Sequence, residues 1–184
     1  MKFKEFIIET VEVVLIALFV VLPIRYFLIQ PFVVRGSSME PTFNNNDYLI
    51  VDELSYRLRN PERGEVIVFR SPVAPNTYYI KRIIGLPSET VEIKDNKVYI
   101  YSPSLKKEFE LKEKYLSPDV LTNGHLKIEL GPDEYFVLGD NRRLSYDSRS
   151  WGAVRRNEIV GRVLVRLYPF LKIETFKQPN YEGI

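Results

Sequence analysis

The chain has 184 residues, with 26 Lys and Arg against 24 Asp and Glu, 45% hydrophobic residues, no cysteine and one histidine. That mixture excludes disorder for most of the chain and describes one globular domain with room for an appendage. The balanced charge speaks against a nucleic acid partner, the missing cysteines exclude disulfide scaffolds, iron–sulfur clusters, cysteine nucleophiles and thiolate zinc sites, and the single histidine excludes multi-histidine metal sites. The one histidine, His125, lies in the polar, turn-like stretch Thr122-Asn123-Gly124-His125-Leu126-Lys127 and reads as an exposed loop residue. Any hydrolytic chemistry here needs a different base.

The N-terminus reads as a membrane anchor. Val13 to Ile24 is uncharged, and residues 6–29 supply the roughly 20 mostly apolar residues that a spanning helix needs. Glu9, Glu12 and Arg25 intrude near its two ends, where long side chains can reach the interface. A cleaved leader would require small residues after the apolar run, and Pro23-Ile24-Arg25-Tyr26-Phe27 has none. A core helix would show an amphipathic stripe, whereas Val13 to Leu22 is apolar all round. Lys2 and Lys4 precede the run, which puts the N-terminus in the cytoplasm by the positive-inside rule. The expected division is a stub and anchor over 1–30 and an extracytoplasmic domain over 31–184.

From Pro31 onward the pattern is of short runs rich in Val, Ile, Tyr and Phe. Strands are expected at Tyr48–Val51, Val66–Phe69, Tyr79–Ile84, Thr90–Lys94, Lys97–Tyr101, Leu126–Leu130, Tyr135–Leu138 and Ile159–Tyr168. Asp95-Asn96 between two of them is a two-residue hairpin signal. Gly and Pro punctuate the rest, as at Gly85-Leu86-Pro87 and Gly131-Pro132, so the fold class is mainly β, an antiparallel sandwich or barrel-like domain. Residues 102–127 are Lys- and Glu-rich and read as an excursion or small subdomain.

Three segments concentrate chemistry. Gly36-Ser37-Ser38-Met39-Glu40-Pro41-Thr42 is a sharply turned serine segment just after the anchor. In Tyr78-Tyr79-Ile80-Lys81-Arg82-Ile83-Ile84-Gly85, strand alternation puts Lys81 and Arg82 on opposite faces, so one points toward apolar surroundings unless both are snorkelling surface cations. A lysine in such a place loses part of its preference for the charged form and becomes a candidate general base. The stretch from Gly139 to Gly152 packs two Asp, three Arg, three Ser and the only Trp into a loop after a strand, which suits either a functional site or a salt-bridged surface loop.

These segments, in this order and together with Arg63 to Phe69 and the lead-in Pro31-Phe32-Val33-Val34, resemble the boxes of the type I signal peptidases, membrane-bound serine proteases with a Ser–Lys dyad. The resemblance spans residues 11–168 in outline and passes over 102–127 and the tail from Lys172. It implies Ser38 as nucleophile and Lys81 as general base, with Ser145 bonded to the lysine amine. Ion pairs of Arg82 with Asp140 and of Asp147 with Arg149 are implied around the site. Phe32, Val34, Met39, Phe43, Tyr79 and Ile80 are implied as the lining of shallow pockets for small substrate residues. Many members carry a serine two residues before the nucleophile as an oxyanion donor; here that position is Gly36. Serine at 36 is then expected to be tolerated and to raise turnover, unless Gly36 holds a positive φ.

The implied reaction removes signal peptides, with small residues at −1 and −3, from secretory preproteins at the outer face of the cytoplasmic membrane. No cofactor or metal is implied; membrane lipid and the secretion translocon are the further partners. Two other readings fit the residues. A LexA-like Ser–Lys regulator that cleaves itself would want a binding domain where the apolar run stands. A membrane-anchored β module that only binds proteins would need no reactive serine.

Overall fold

The Asp95-Asn96 turn behaves as its residues require. Both have positive φ (51° and 61°), and Lys94 pairs with Lys97 across it in a two-residue hairpin. Around it, the computed structural model describes residues 2–16, 18–19, 29–177 and 181. The strands are β1 (Ile29–Val33), β2 (Tyr48–Asp52), β3 (Val66–Arg70), β4 (Tyr78–Gly85), β5 (Thr90–Lys94) and β6 (Lys97–Ser102). They continue as β7 (Lys107–Glu110), β8 (Leu126–Glu129), β9 (Glu134–Leu138), β10 (Val154–Arg155), β11 (Ile159–Tyr168) and β12 (Glu174–Thr175).

The molecule is mainly β, and every strand pair is antiparallel. One sheet runs β1-β2-β11-β3-β4-β9-β10 as an open path, with β12 beside β11. The other runs β7-β6-β5-β8. The small sheet packs onto the large one through Val91, Ile93, Val98 and Ile100 on its side and Ile84, Phe136 and Leu138 on the other. A second core, built on Leu49, Val51, Val66, Val68 and Val163, supports the segment from Val34 to Phe43. A third, with Ile67, Phe69, Ile83 and Val137, holds the large sheet from elsewhere. β4 contributes to all three with Ile80, Ile83 and Ile84, so its residues from Lys81 to Gly85 are buried.

Four strands have no alternating apolar signature. β1 contains Pro31, which is tolerated because β1 is an edge strand. β7 reads Lys-Glu-Phe-Glu and is also an edge, where charge discourages further pairing. β10 and β12 are two residues each. The stretch 102–127 therefore contributes β7 and the start of β8 to the small sheet, with a connection between them.

The N-terminal helix runs Lys2–Ile16, and no helix among the described residues is long and apolar enough to cross a membrane. Residues 17 and 20–28 of the expected anchor lie outside the described residues. β1 begins at Ile29, so the last two residues of the stretch assigned to the anchor belong to a strand paired with β2.

Candidate active site

The turn that follows β1 carries Ser38. Gly36 opens it with φ at +90°, and its N–H donates to Asn45 Oδ1 at 3.0 Å. Phe43 N–H donates to Met39 O at 2.9 Å, closing one helical turn. Residues four apart in such a turn share a face. Met39 and Phe43 accordingly point together into the core with Val34, Leu49 and Val66. Met39 and Phe43, implied as lining of the substrate pockets, are instead buried beneath the turn and do not line the cleft over Lys81.

Lys81 is only 4% exposed and lies opposite Ile67 of β3. Its Nζ donates to Ser38 Oγ at 2.8 Å and to Ile80 O at 2.9 Å. Burial pushes the amine down to about 8 from its ordinary 10.5, against the opposing pull of the Asp147 and Asp140 carboxylates. Those carboxylates are already engaged by arginines, which is why desolvation wins. The surface-cation alternative for Lys81 and Arg82 is overturned, because both faces of β4 are covered here and both side chains are buried.

On the other face Arg82 grips Asp140 with two bonds, Nε to Oδ1 at 2.9 Å and Nη2 to Oδ2 at 2.6 Å, and donates to Gly64 O at 2.8 Å. Thr42 Oγ1 donates to the same Asp140 Oδ2 at 2.6 Å, which fastens the far end of the Ser38 turn to the Gly139 loop. Asp147 accepts Nε and Nη2 of Arg149 at 2.8 and 2.9 Å and the Gly139 N–H at 3.1 Å. Arg149 also donates to Arg142 O at 2.7 Å, so the loop is braced across its own width.

Asn141 is the residue whose role the sequence conceals. Its backbone N–H donates to Ser38 O at 3.1 Å, and its side-chain Nδ2 donates to Ser37 O at 3.1 Å. The Asp140-Asn141 pair thus fixes the nucleophile turn from both ends. Arg142 is the second such residue. It binds Glu113 (Nη1 to Oε2, 2.7 Å) and Thr122 in the 102–127 excursion, and donates from Nε to Gly139 O at 3.0 Å. Tyr115 of the same excursion lies under the Arg82 guanidinium, 4.0 Å from its ring centroid. The density of polar groups in the Gly139 loop is the one signal that could have drawn attention to either residue.

Ser145 departs from the implied role. It makes no hydrogen bond to Lys81; its Oγ is buried and has no partner among the described residues. It is wedged against Gly139, where an added Cβ would overlap both Ser145 Oγ and the Ser38 carbonyl oxygen. The lysine amine bonds Ser38 and Ile80 instead.

A cleft of about 570 Å³ opens over the Ser38–Lys81 pair. Phe32, Val34, Tyr79 and Ile80 line it, together with Tyr78, Leu144 and Tyr146. Phe32 and Tyr78 meet edge to face at 5.5 Å. Gly36 and Ser37 line it too, and the Ser38 N–H has no partner among the described residues, which leaves it free to meet an oxyanion. The arrangement can deprotonate a serine hydroxyl beside an apolar peptide-sized groove.

The sequence pattern of the family described as signal peptidase, peptidase S26, matches residues 7–168. A probable signal peptidase I-2 from Synechocystis is 38% identical over 171 residues, covering 90% of this chain and 75% of that one. A signal peptidase I P from Bacillus subtilis subsp. natto is 34% identical over 178 residues, covering 95% and 96%. A crystal structure of a signal peptidase I from Enterococcus faecalis superposes with a TM-score of 0.47 at 32% identity, over 56% of this chain and 97% of that one.

Proposed function

The chain belongs to the signal peptidase family, peptidase S26, and from that premise we infer the reaction it performs. It is a serine endopeptidase that removes signal peptides from secretory preproteins. Ser38 is the nucleophile and Lys81 its general base. The neutral amine takes the Ser38 proton as Oγ attacks the scissile carbonyl, and passes it to the leaving amine as the tetrahedral intermediate collapses. A water activated by the same amine then releases Ser38 from the acyl-enzyme. The observation that carries this reading is the 2.8 Å bond between a desolvated Lys81 amine and Ser38 Oγ.

The substrate's small −1 and −3 residues sit in the cleft among Phe32, Val34, Tyr79 and Ile80. Gly36 lends backbone shape and no side chain. The residues before β1 anchor the protein in the cytoplasmic membrane, N-terminus inside, and the chain from β1 onward forms the extracytoplasmic catalytic domain, with membrane lipid and the secretion translocon as partners. In support, the apolar residues of the N-terminal helix stay largely exposed among the described residues: Phe6 is 64% exposed, Ile8 63% and Val13 65%. So much apolar surface on one helix fits immersion in lipid better than contact with water.

The test is incubation of a preprotein with the full-length protein in detergent. Wild type should cut at one bond, after a small residue, and Ser38→Ala should cut nothing. Undiminished cleavage by Ser38→Ala would overturn the assignment.

A further inference from the structure

A polypeptide substrate continues on both sides of the bond that is cut, and the cleft over Lys81 accounts for one side. A second cleft, of about 530 Å³, is walled in part by close chain neighbours of the first cleft's lining. Its walls include Glu40 and Pro41, two and three residues after Ser38, and Asn141 and Arg143, whose continuation through Leu144 lines the first cleft. The segments 38–41 and 141–144 thus each run from the wall of one cleft to the wall of the other, and Ser38 lies on the first of them. Three residues of extended chain reach about 10 Å, enough to carry a peptide from Ser38 past Pro41.

The far wall is supplied by Val120 and Leu121 of the excursion. It is held in place by the bonds from Arg142 to Glu113 and Thr122 and from Thr122 N–H to Asn96 O. The near wall is held by the bonds of Asn141 to Ser37 and Ser38. A groove with both walls already fixed loses little freedom when a peptide enters.

The charges sort by depth. Deep in the groove, Asp140 is neutralised by Arg82 and Arg142 by Glu113. At the rim, the side chains of Glu40, Asp119 and Arg143 have no hydrogen bond or ion pair among the described residues. Two carboxylates and one guanidinium are thus free to meet a ligand, above apolar contacts from Pro41, Val120 and Leu121.

We propose that this second cleft receives the first residues of the mature chain, on the leaving-group side of the scissile bond, and favours a basic residue among them. The proposal rests on the peptidase reading above. The excursion then has a function in addition to its two strands: it builds the wall against which the departing chain lies.

The experiment uses the full-length protein in detergent with peptides that share one signal region. One peptide ends directly after the −1/+1 bond; two others carry about six mature residues, with Lys or Glu near the fourth. Wild type should cut the long Lys peptide with kcat/KM about tenfold above the short one and several-fold above the Glu peptide. Asp119→Lys, on an exposed loop, should invert the Lys-to-Glu preference. The isolated mature-segment peptide bearing Lys should inhibit wild type competitively and inhibit Asp119→Lys about tenfold more weakly. Equal cleavage of long and short peptides by wild type, or an unchanged charge preference in Asp119→Lys, would overturn the proposal. Failure of wild type to cut any of the three would overturn the peptidase reading instead, and this one with it.

Discussion

Lys81 Nζ donates to Ser38 Oγ at 2.8 Å across 43 residues of sequence, from the middle of a buried strand to a turn at the edge of the sheet. Neither residue is activated by itself. The strand desolvates the amine, and the turn, tied down through Asn141 and Thr42, keeps the hydroxyl within its reach. In the proposed mechanism the two act as a unit, so Ser38→Ala, Lys81→Ala and the double variant should each lose essentially all preprotein cleavage, the double being hardly worse than either single. Single-turnover assays on variants with wild-type melting curves check this; additive losses would refute a shared step.

The lowered amine sets the pH dependence. With Lys81 at about 8, kcat/KM should rise with pH through an acid limb near 8 and stay up above it. His125→Ala should leave that limb in place.

The same amine leaves a signature in stability. Folding binds its proton less tightly than the ordinary 10.5 of the unfolded chain, so the folded state is penalised in full below pH 8, and the penalty fades as pH rises from 8 to 10.5. Lys81→Met should therefore melt higher than wild type at pH 6, by about 1–3 kcal/mol of stability, and the gap should close toward pH 10.5. Thermal melts at the two pH values decide it; a gap that widened with pH would contradict the burial of a neutral lysine.

Gly36 has open space where a Cβ would go, but its φ of +90° is one that side-chain-bearing residues resist. The exception attached to serine at this position, a positive φ, therefore applies. Gly36→Ser should cost about 1–3 kcal/mol in stability and lower kcat by disturbing the Ser38 turn. Ser37 uses its carbonyl, not its hydroxyl, in the bonds that hold the turn. Ser37→Ala should thus keep kcat within about tenfold, or about 1.4 kcal/mol.

The Arg82–Asp140 pair is buried at both ends, with side chains 6% and 0% exposed. Removing one partner strands the other's charge. Asp140→Ala should lose about 3–5 kcal/mol of stability and free Thr42 from the loop. Glu113→Ala should behave similarly, since Arg142 is fully buried against it. Chemical denaturation measures both.

Much of this molecule was legible in the sequence because the signals are local. Strand alternation and turn residues such as Asp95-Asn96 depend on neighbours two or three positions away, and the strands from β2 to β6, with β8, β9 and β11, fall where those patterns put them. The chemical inventory was equally legible: with no cysteine and a histidine in a polar turn, the base had to be sought elsewhere. What needed the tertiary structure depends on contacts between distant segments. β1 and β7 form because a neighbouring strand offers an edge, whatever their own composition. Lys81 and Arg82 are both buried because both faces of β4 are covered, which alternation along one strand cannot reveal. Met39 and Phe43 turn inward because a helical turn, and not a strand, follows Ser38. The clamp of Glu113 on Arg142 spans 29 residues with no pattern between them, and only the folded chain brings those charges out of water together.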